Sequence, residues 1–431
     1  MALYSTSDLS AKRHLEEAVR AFTLNFGDTS AHLKSAEESD PDWLMPRIMT
    51  AGMLALSNDA SQLASGRKLI EQVNTRTLSN REVENLKAVQ LALNGSWPSA
   101  VASLDKHLMK DPQDLCAHQI ALRLDGYMGR FHRVAARSAR ALPFWSKDEP
   151  NYAIMRSFYG FGLEECGDYA RAEDVSREAA ELEPYGYWPH HAVSHVLEMT
   201  GRPREGVKWM EERLQYWADS RCNNRVHIWW HKALYHLELG ELNEALAIYD
   251  NEILGAMRPV GTQLCNATAL LWRLETLDCD VGERWTELLP MWQRQLSGMS
   301  SPFNEIHAAM TALRAGDEAA FDAVIQGMQR NLEANGELAV AYRELALPVA
   351  TAMRRFLEGR YDDAVDVLIR VEPELWRMGG SVAQRDLVSW TMVVAAVRSR
   401  QKAIAASLIN ERLALRPDSY VNQAFERSLQ N

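Results

Sequence analysis

Five glycines, Gly95, Gly129, Gly167, Gly201 and Gly240, follow one another at intervals of 34, 38, 34 and 39 residues. No other feature narrows the fold as much. A period of this size means one supersecondary unit copied along the chain, each copy burying its apolar face against the next. Two copies align closely. "AVQLALNGSWPSAVASLDKHLMKDP" sets Gly95, Trp97, Ala100 and Pro112 at the offsets of Gly167, Tyr169, Ala172 and Pro184 in "YGFGLEECGDYARAEDVSREAAELEP". Glycine suits a turn because it tolerates positive φ. Alanine lets two helices approach, and proline closes the unit because it cannot continue a helix. Gly359 repeats the turn signal, Gly316 in "LRAGDEAAF" marks another, and "NERLALRPDS" (410–419) reads as a last second helix with its proline.

Between these breakers, apolar residues recur at i, i+3, i+4 and i+7, and strand signals are nearly absent. Helix, glycine–aromatic turn, contact alanine, second helix and proline make up the grammar of the tetratricopeptide repeat, TPR. The expected fold is all-α: a right-handed superhelix of TPR-like antiparallel helix pairs curling around a concave cavity. Breaks between units are expected at "LPFWSKDEPN", "EPYGYWP", "AMRPVGTQ", "SGMSSPFN" and "RMGGS". An array grows by stacking, so the 431 residues are expected to form one solenoid domain, 1–431. Residues 1–150 hold its more divergent repeats, and 151–431 hold a His-rich concave site.

Composition removes several function classes. Net charge is −11 and no basic run stands out, which argues against a nucleic-acid partner. No apolar run approaches the roughly 18 residues of a membrane span, and no apolar leader opens the chain. Five cysteines without a CxxC pair suggest neither a disulfide framework nor a cysteine–zinc site. A reduced, cytoplasmic protein is expected. There is no Walker loop, no GxSxG, and no nucleotide or flavin motif. Thirteen Trp and seventeen Met must fill or line something large.

The chemistry-bearing residues concentrate in two helices. "HHAVSHVLEM" (190–199) and "HIWWHKALYHLELG" (227–240) hold half of the twelve histidines. With the turn glycine as repeat position 15, groove-facing positions are about 2, 5, 9, 12 and 13. His191, His195 and Glu198 then fall at 5, 9 and 12, one stripe at i, i+4 and i+7. On the next unit His227 falls at 2, Trp230 at 5, and His231 at 6, one notch off the groove. The bland reading, satisfied core or surface histidines, suits His14, His32, His107, His118, His132 and His236. For the clustered stripe it fits poorly, because burying several imidazoles without partners is expensive. Two chemistries stay open there. One is acid/base work near neutrality by His191, His195, Glu198 and His231. The other is a divalent metal on His191, His195, His227 and His231. Cys166 and Cys222 are small core residues first and nucleophiles only as a minor alternative.

"FGLEECGDYARAE", "HHAVSHVLEMTGRPREG", "HIWWHKALYHLELGELNEALAIYD", "RWTELLP", "FNEIHAAM" and "GGSVAQRDL" follow one another in an order that resembles the tetratricopeptide-repeat protein 38 family. The resemblance is strong over about residues 150–420 and weak before them. It implies an all-helical repeat fold and no established reaction. It carries over His191, His195 and Glu198; Trp230 and His231; Asn304 and His307; and Gln384, Arg385 and Asp386. Glu305 and Ser194 depart from the family's more frequent "FND" and "HAVAHV", and relatives can carry Asn at the position of His227. Gln384 also fits a helix start, with Ser381 as N-cap.

The function expected from these residues is a His/Glu/Arg-lined pocket for a small polar or anionic molecule. Trp230, His227, Asn304, His307, Gln384, Arg385 and Asp386 would contact the ligand, and Arg385 would anchor an anionic group. Hydrolase-type chemistry, acid/base or metal-assisted, is the reaction class. The alternative is a non-catalytic TPR scaffold binding a partner peptide or helix in its groove. No membrane partner is expected, and a homo-oligomer stays open.

Overall fold

The computed structural model describes residues 3–71, 73, 75–295, 301–334 and 336–429. These residues are helical and turn structure throughout, with one isolated backbone bridge between Phe26 and Cys222 as their β feature. The fold is all-α and built of TPR-like helix pairs. None of these helices is long and apolar enough to cross a membrane. The chain sorts into two compact units. One comprises Met1–Gly126, Arg130–Val193 and Gln215–Arg225; the other comprises Tyr127–Gly129, Ser194–Leu214 and Val226–Asn431.

In the first unit, Leu9–Leu24 packs on Thr29–Ser39, Met45–Ala55 on Ala60–Ile70, Asn80–Leu93 on Trp97–Leu108, and Tyr152–Glu164 on Tyr169–Leu182. Local chemistry starts several of these helices. The carboxylates of Asp8, Asp28 and Asp59 accept from the backbone N–H of Ala11, Ala31 and Gln62. Ser79 and Glu82 form a reciprocal capping box. The expected contact alanines, Ala100 and Ala172, are fully buried where paired helices meet. Arg137 is buried between the carboxylates of Asp105 (2.8 Å) and Asp125 (2.6 Å), so its charge is answered on both sides.

The second unit carries the Pro203–Glu212, Arg225–Glu238, Gly261–Thr276, Pro302–Arg314, Leu347–Leu357, Tyr361–Val371, Val382–Arg398 and Lys402–Leu415 helices, among others. Gly201 (φ 67°) and Gly240 (φ 76°) turn the chain in the left-handed region, where a Cβ would be strained. The other expected turn glycines share that conformation. The segment 297–300 of the expected "SGMSSPFN" break lies outside the described residues. Indole donors meet threonine hydroxyls across the packed helices. Trp272 Nε1 donates to Thr391 Oγ1 (2.9 Å), Trp390 Nε1 to Thr276 Oγ1 (2.9 Å), and Trp292 Nε1 to Thr268 Oγ1 (3.0 Å). These bonds let large rings fill the interior without leaving a buried N–H orphaned. Two of them join Gly261–Thr276 to Val382–Arg398, helices more than a hundred residues apart in sequence. Distant repeats of this unit therefore converge.

Candidate metal and ligand site

His195 and Glu198 stand one turn apart on the Tyr187–Met199 helix. His227, Trp230 and His231 share one face of Arg225–Glu238, by their i, i+3, i+4 spacing. A brace ties the two helices: the Tyr235 hydroxyl donates to the Ser194 carbonyl at 2.6 Å. Tyr235 lies one turn beyond His231, and Ser194 immediately precedes His195. His195, His231 and Trp230 are fully buried, Glu198 is buried, and His227 is half-buried.

The three imidazoles converge. His195, His227 and His231 each offer a ring nitrogen, and these atoms lie within 4.8 Å of one another. The His195 and His231 ring centroids are 4.5 Å apart. His231 Nδ1 lies 3.0 Å from Glu198 Oε2, and His227 Nδ1 lies 2.9 Å from Asn266 Oδ1. With Glu198 ionised and both oxygens accepting, both Nδ1 atoms carry the proton and both Nε2 atoms carry a lone pair. Those two Nε2 atoms face each other at 3.3 Å. Two lone pairs at this distance repel unless a proton or a cation lies between them. Two nitrogens at about 2.0–2.1 Å from a tetrahedral ion stand about 3.3 Å apart. The separation therefore matches a shared metal. The oxygens on Nδ1 are the supports that metal-bound imidazoles have.

Charge around the cluster is arranged by buried arginines. Burial pushes the Glu198 carboxyl up, while His195, Arg416 and Arg273 pull it down. Burial holds His231 well below the ordinary imidazole value, and the charges of His195 and Arg273 add to that. Arg273 is 1 % exposed and lies 5.6 Å from the ring centroids of both Trp230 and Trp390. Sequence reasoning did not single it out. An arginine in the last turn of a helix reads as an ordinary complement to the helix dipole.

The remaining candidates take distinct roles. His191 is one turn before His195 and belongs to the first unit, where it stacks on Tyr187 (4.9 Å) and meets Phe161 (5.1 Å). Asn304 accepts from the Cys265 thiol (3.4 Å) and packs where a Cβ on Gly261 would fall 2.4 Å from its Nδ2. His307 is buried, and its Nδ1 donates to the Phe303 carbonyl at 2.8 Å. Gln384 caps its helix: its Oε1 accepts from the Ser381 N–H (2.9 Å), and Ser381 Oγ accepts from the Gln384 N–H (3.3 Å). Arg385 donates to the Gly380 carbonyl. Asp386 pairs with Arg412 (2.6 Å) and reaches Arg416 (3.8 Å) and Arg273 (3.9 Å); despite burial, these cations hold its carboxyl well below the usual range. His231, placed one notch off the groove by the repeat register, is at the centre of the cluster instead. The register places side chains only to about one position, and His231 is fully buried here. Burial pushes the Cys222 thiol up to about 12, and burial with acidic neighbours raises Cys166, so neither is an activated nucleophile.

No family model matches the chain. Among solved structures it is similar to a human IFIT1 dimer with m7Gppp-AAAA, at 12 % identity over 99 % of this chain and 95 % of that one, with a TM-score of 0.44. It is also similar to an APC/C hetero-tetramer, Cut9-Hcn1, at 15 % identity over 97 % of this chain and 76 % of that one, with a TM-score of 0.47. Likenesses this distant carry nothing about the ligand of this chain.

Proposed function

We propose that the second unit holds a divalent metal ion on His195, His227 and His231, and that a small polar or anionic molecule is processed there by metal-assisted, hydrolase-type chemistry. The observation that carries this reading is the 3.3 Å approach of two Nε2 atoms whose Nδ1 atoms both face oxygen acceptors. Three protein ligands leave a fourth position for water or substrate, and a divalent ion there supplies Lewis-acid activation. Glu198 holds the His231 ring in the tautomer that offers Nε2, and Asn266 does the same for His227. The Trp230 ring, stacked at 5.4 Å on His227, keeps that imidazole in one orientation. The scaffold alternative needs Trp and Met on an open contact face. Trp217, Trp230, Trp272 and Trp292 are among the largest fully buried side chains, while Met109 and Trp376 are exposed.

The motif order quoted above supports membership of the tetratricopeptide-repeat protein 38 family as part of this proposal. A single solenoid over residues 1–431 and a cytoplasmic setting belong to it too; the described cysteines are all free. The test is metal content. Chelator-stripped protein should take up one equivalent of Zn(II) or Co(II), and His231→Gln should take up none while keeping its helical circular dichroism. Turnover of small esters, amides or phosphate monoesters should then follow metal loading. Equal uptake by wild type and His231→Gln would remove the metal centre.

A further inference from the structure

A cavity of about 210 Å³ lies in the first unit, lined from two successive second helices, Trp97–Leu108 and Phe131–Ala141, and from the turns after them. Leu108, Met109, Ala141 and Phe144 supply apolar wall, and Arg137 and Arg140 supply its charge. Among the described residues no carboxylate lines it. Met109 and Phe144 are large and apolar, yet 67 % and 61 % exposed. With Gly129 as repeat position 15, His118 in the wall falls at position 4, outside the groove-facing set, so the cavity is not the groove of the repeat.

The wall is held in place by the protein itself. Gln113 Nε2 donates to the Phe144 carbonyl (3.0 Å) and to Glu149 Oε2 (3.2 Å), which ties the turn after Met109 to the turn that carries Phe144. The other Glu149 oxygen accepts from the Ser146 N–H (3.1 Å), so this carboxylate is engaged within its own loop. His118 Nε2 donates to the Pro112 carbonyl at 3.0 Å and fixes the first turn from its other end. A wall ordered beforehand loses little entropy on binding. The charge is arranged by contact. Asp105 is shared by Arg137 (2.8 Å), Arg140 (3.1 Å) and Arg133, and Arg137 is also held by Asp125 (2.6 Å). Arg137 is thus answered and buried. Three cations face two carboxylates, and the surplus falls to Arg133 and Arg140, which reach solvent.

We propose that this cavity docks a partner protein through an acidic linear segment that carries one aromatic anchor. The volume is below the roughly 300–1,000 Å³ of small-molecule and cofactor sites and suits a single large side chain. Met, aromatic and Arg side chains together are the composition of a protein-interface core. The anchor ring fills the apolar wall, Met109 and Phe144 extend the contact across the rim, and acidic neighbours of the anchor meet Arg140 and Arg133. The anchor carries most of the affinity, because exposed ion pairs are weak. The site is independent of the metal reading.

The test titrates full-length protein with acetylated, amidated five-residue peptides by calorimetry. The peptide EDFDE should bind about thirtyfold tighter than EDADE, the loss expected of a buried anchor. It should also bind about tenfold tighter than KRFRK, a preference that shrinks as salt rises. Phe144→Ala and Met109→Ala, at exposed positions that spare the fold, should each weaken EDFDE about fivefold or more. Arg140→Gln should weaken it about threefold, and His231→Gln should bind it as wild type does. EDFDE and EDADE binding alike, or unchanged affinity in both the Phe144 and Arg140 variants, overturns the docking site. KRFRK binding as well as EDFDE overturns the acidic partner, and phenylacetate binding as tightly as EDFDE replaces the protein segment by a small aryl acid and overturns the proposal too.

Discussion

Gly206→Ala puts the brace between the two histidine helices to the test. Gly206 lies in the Pro203–Glu212 helix, and a Cβ added there would fall 2.3 Å from Tyr235 Cζ and 2.4 Å from its Cε2. Carbon atoms rest at about 3.5–4.0 Å, so the ring must retreat by roughly 1 Å or more. Tyr235 is fully buried, and its hydroxyl reaches the Ser194 carbonyl at 2.6 Å. Retreat breaks that bond. Overpacking costs about 1–3 kcal/mol. A buried donor left unmet costs about 1–3 kcal/mol. Alanine returns about 1 kcal/mol over glycine in a helix. The net is a destabilisation of about 1–5 kcal/mol, read as a lower urea midpoint with an unchanged slope. Zn(II) uptake should weaken in parallel, because His231 precedes Tyr235 by one turn. An alanine variant as stable as wild type would mean that helix propensity outweighs the contact, and the brace would then hold nothing.

Three further outcomes follow. Glu198→Gln keeps an acceptor on His231 but removes its charge, so Zn(II) affinity in a chelator competition should fall 10–100-fold, about 1–3 kcal/mol; an unchanged affinity would strip Glu198 of its supporting role. Gly359→Ala meets nothing within 4 Å but forces a Cβ onto φ 76°, so the melt should report a loss of about 1–2 kcal/mol from backbone strain alone, and no loss would contradict the left-handed turn. Burial, with the charge of Arg137 adding to it, pushes His118 down to about 4, so the unfolded chain takes up its proton first as pH falls. The stability it allows is whole above about pH 6.5 and erodes by about 3 kcal/mol toward pH 4. His118→Gln should flatten that part of the pH–stability curve, and an equal acid slope in the variant would assign the loss elsewhere.

The repeat was legible because glycine is the cheapest residue in a left-handed turn, so a period of turns leaves a period of glycines. Where another residue takes that conformation the signal fades. Arg400 (φ 60°) turns the chain between helices without any turn composition, and Asn58 (φ 57°) and Asp278 (φ 60°) give a weaker turn signal than glycine does. The histidine stripe was legible for the same reason as the helices, since i, i+3 and i+4 spacing puts His227 with His231, and His195 with Glu198, on shared faces. The pairing of His231 with Glu198 was not, because it depends on how adjacent helices rotate against each other, which the repeat register approximates to about one position. Gln384 shows the reverse: its capping box was readable as a local motif, and the structure makes it a cap. Arg273 was invisible because its importance comes from Trp230 and Trp390, far from it in sequence, and no local pattern records that contact.

X-ray absorption at the zinc edge, on stripped protein reloaded with one equivalent of Zn(II), tests the metal centre most directly. Three imidazole nitrogens at about 2.0–2.1 Å with one further light-atom ligand are expected, with loss of the imidazole scattering in His231→Gln. A spectrum of oxygen ligands alone, unchanged in that variant, would contradict it.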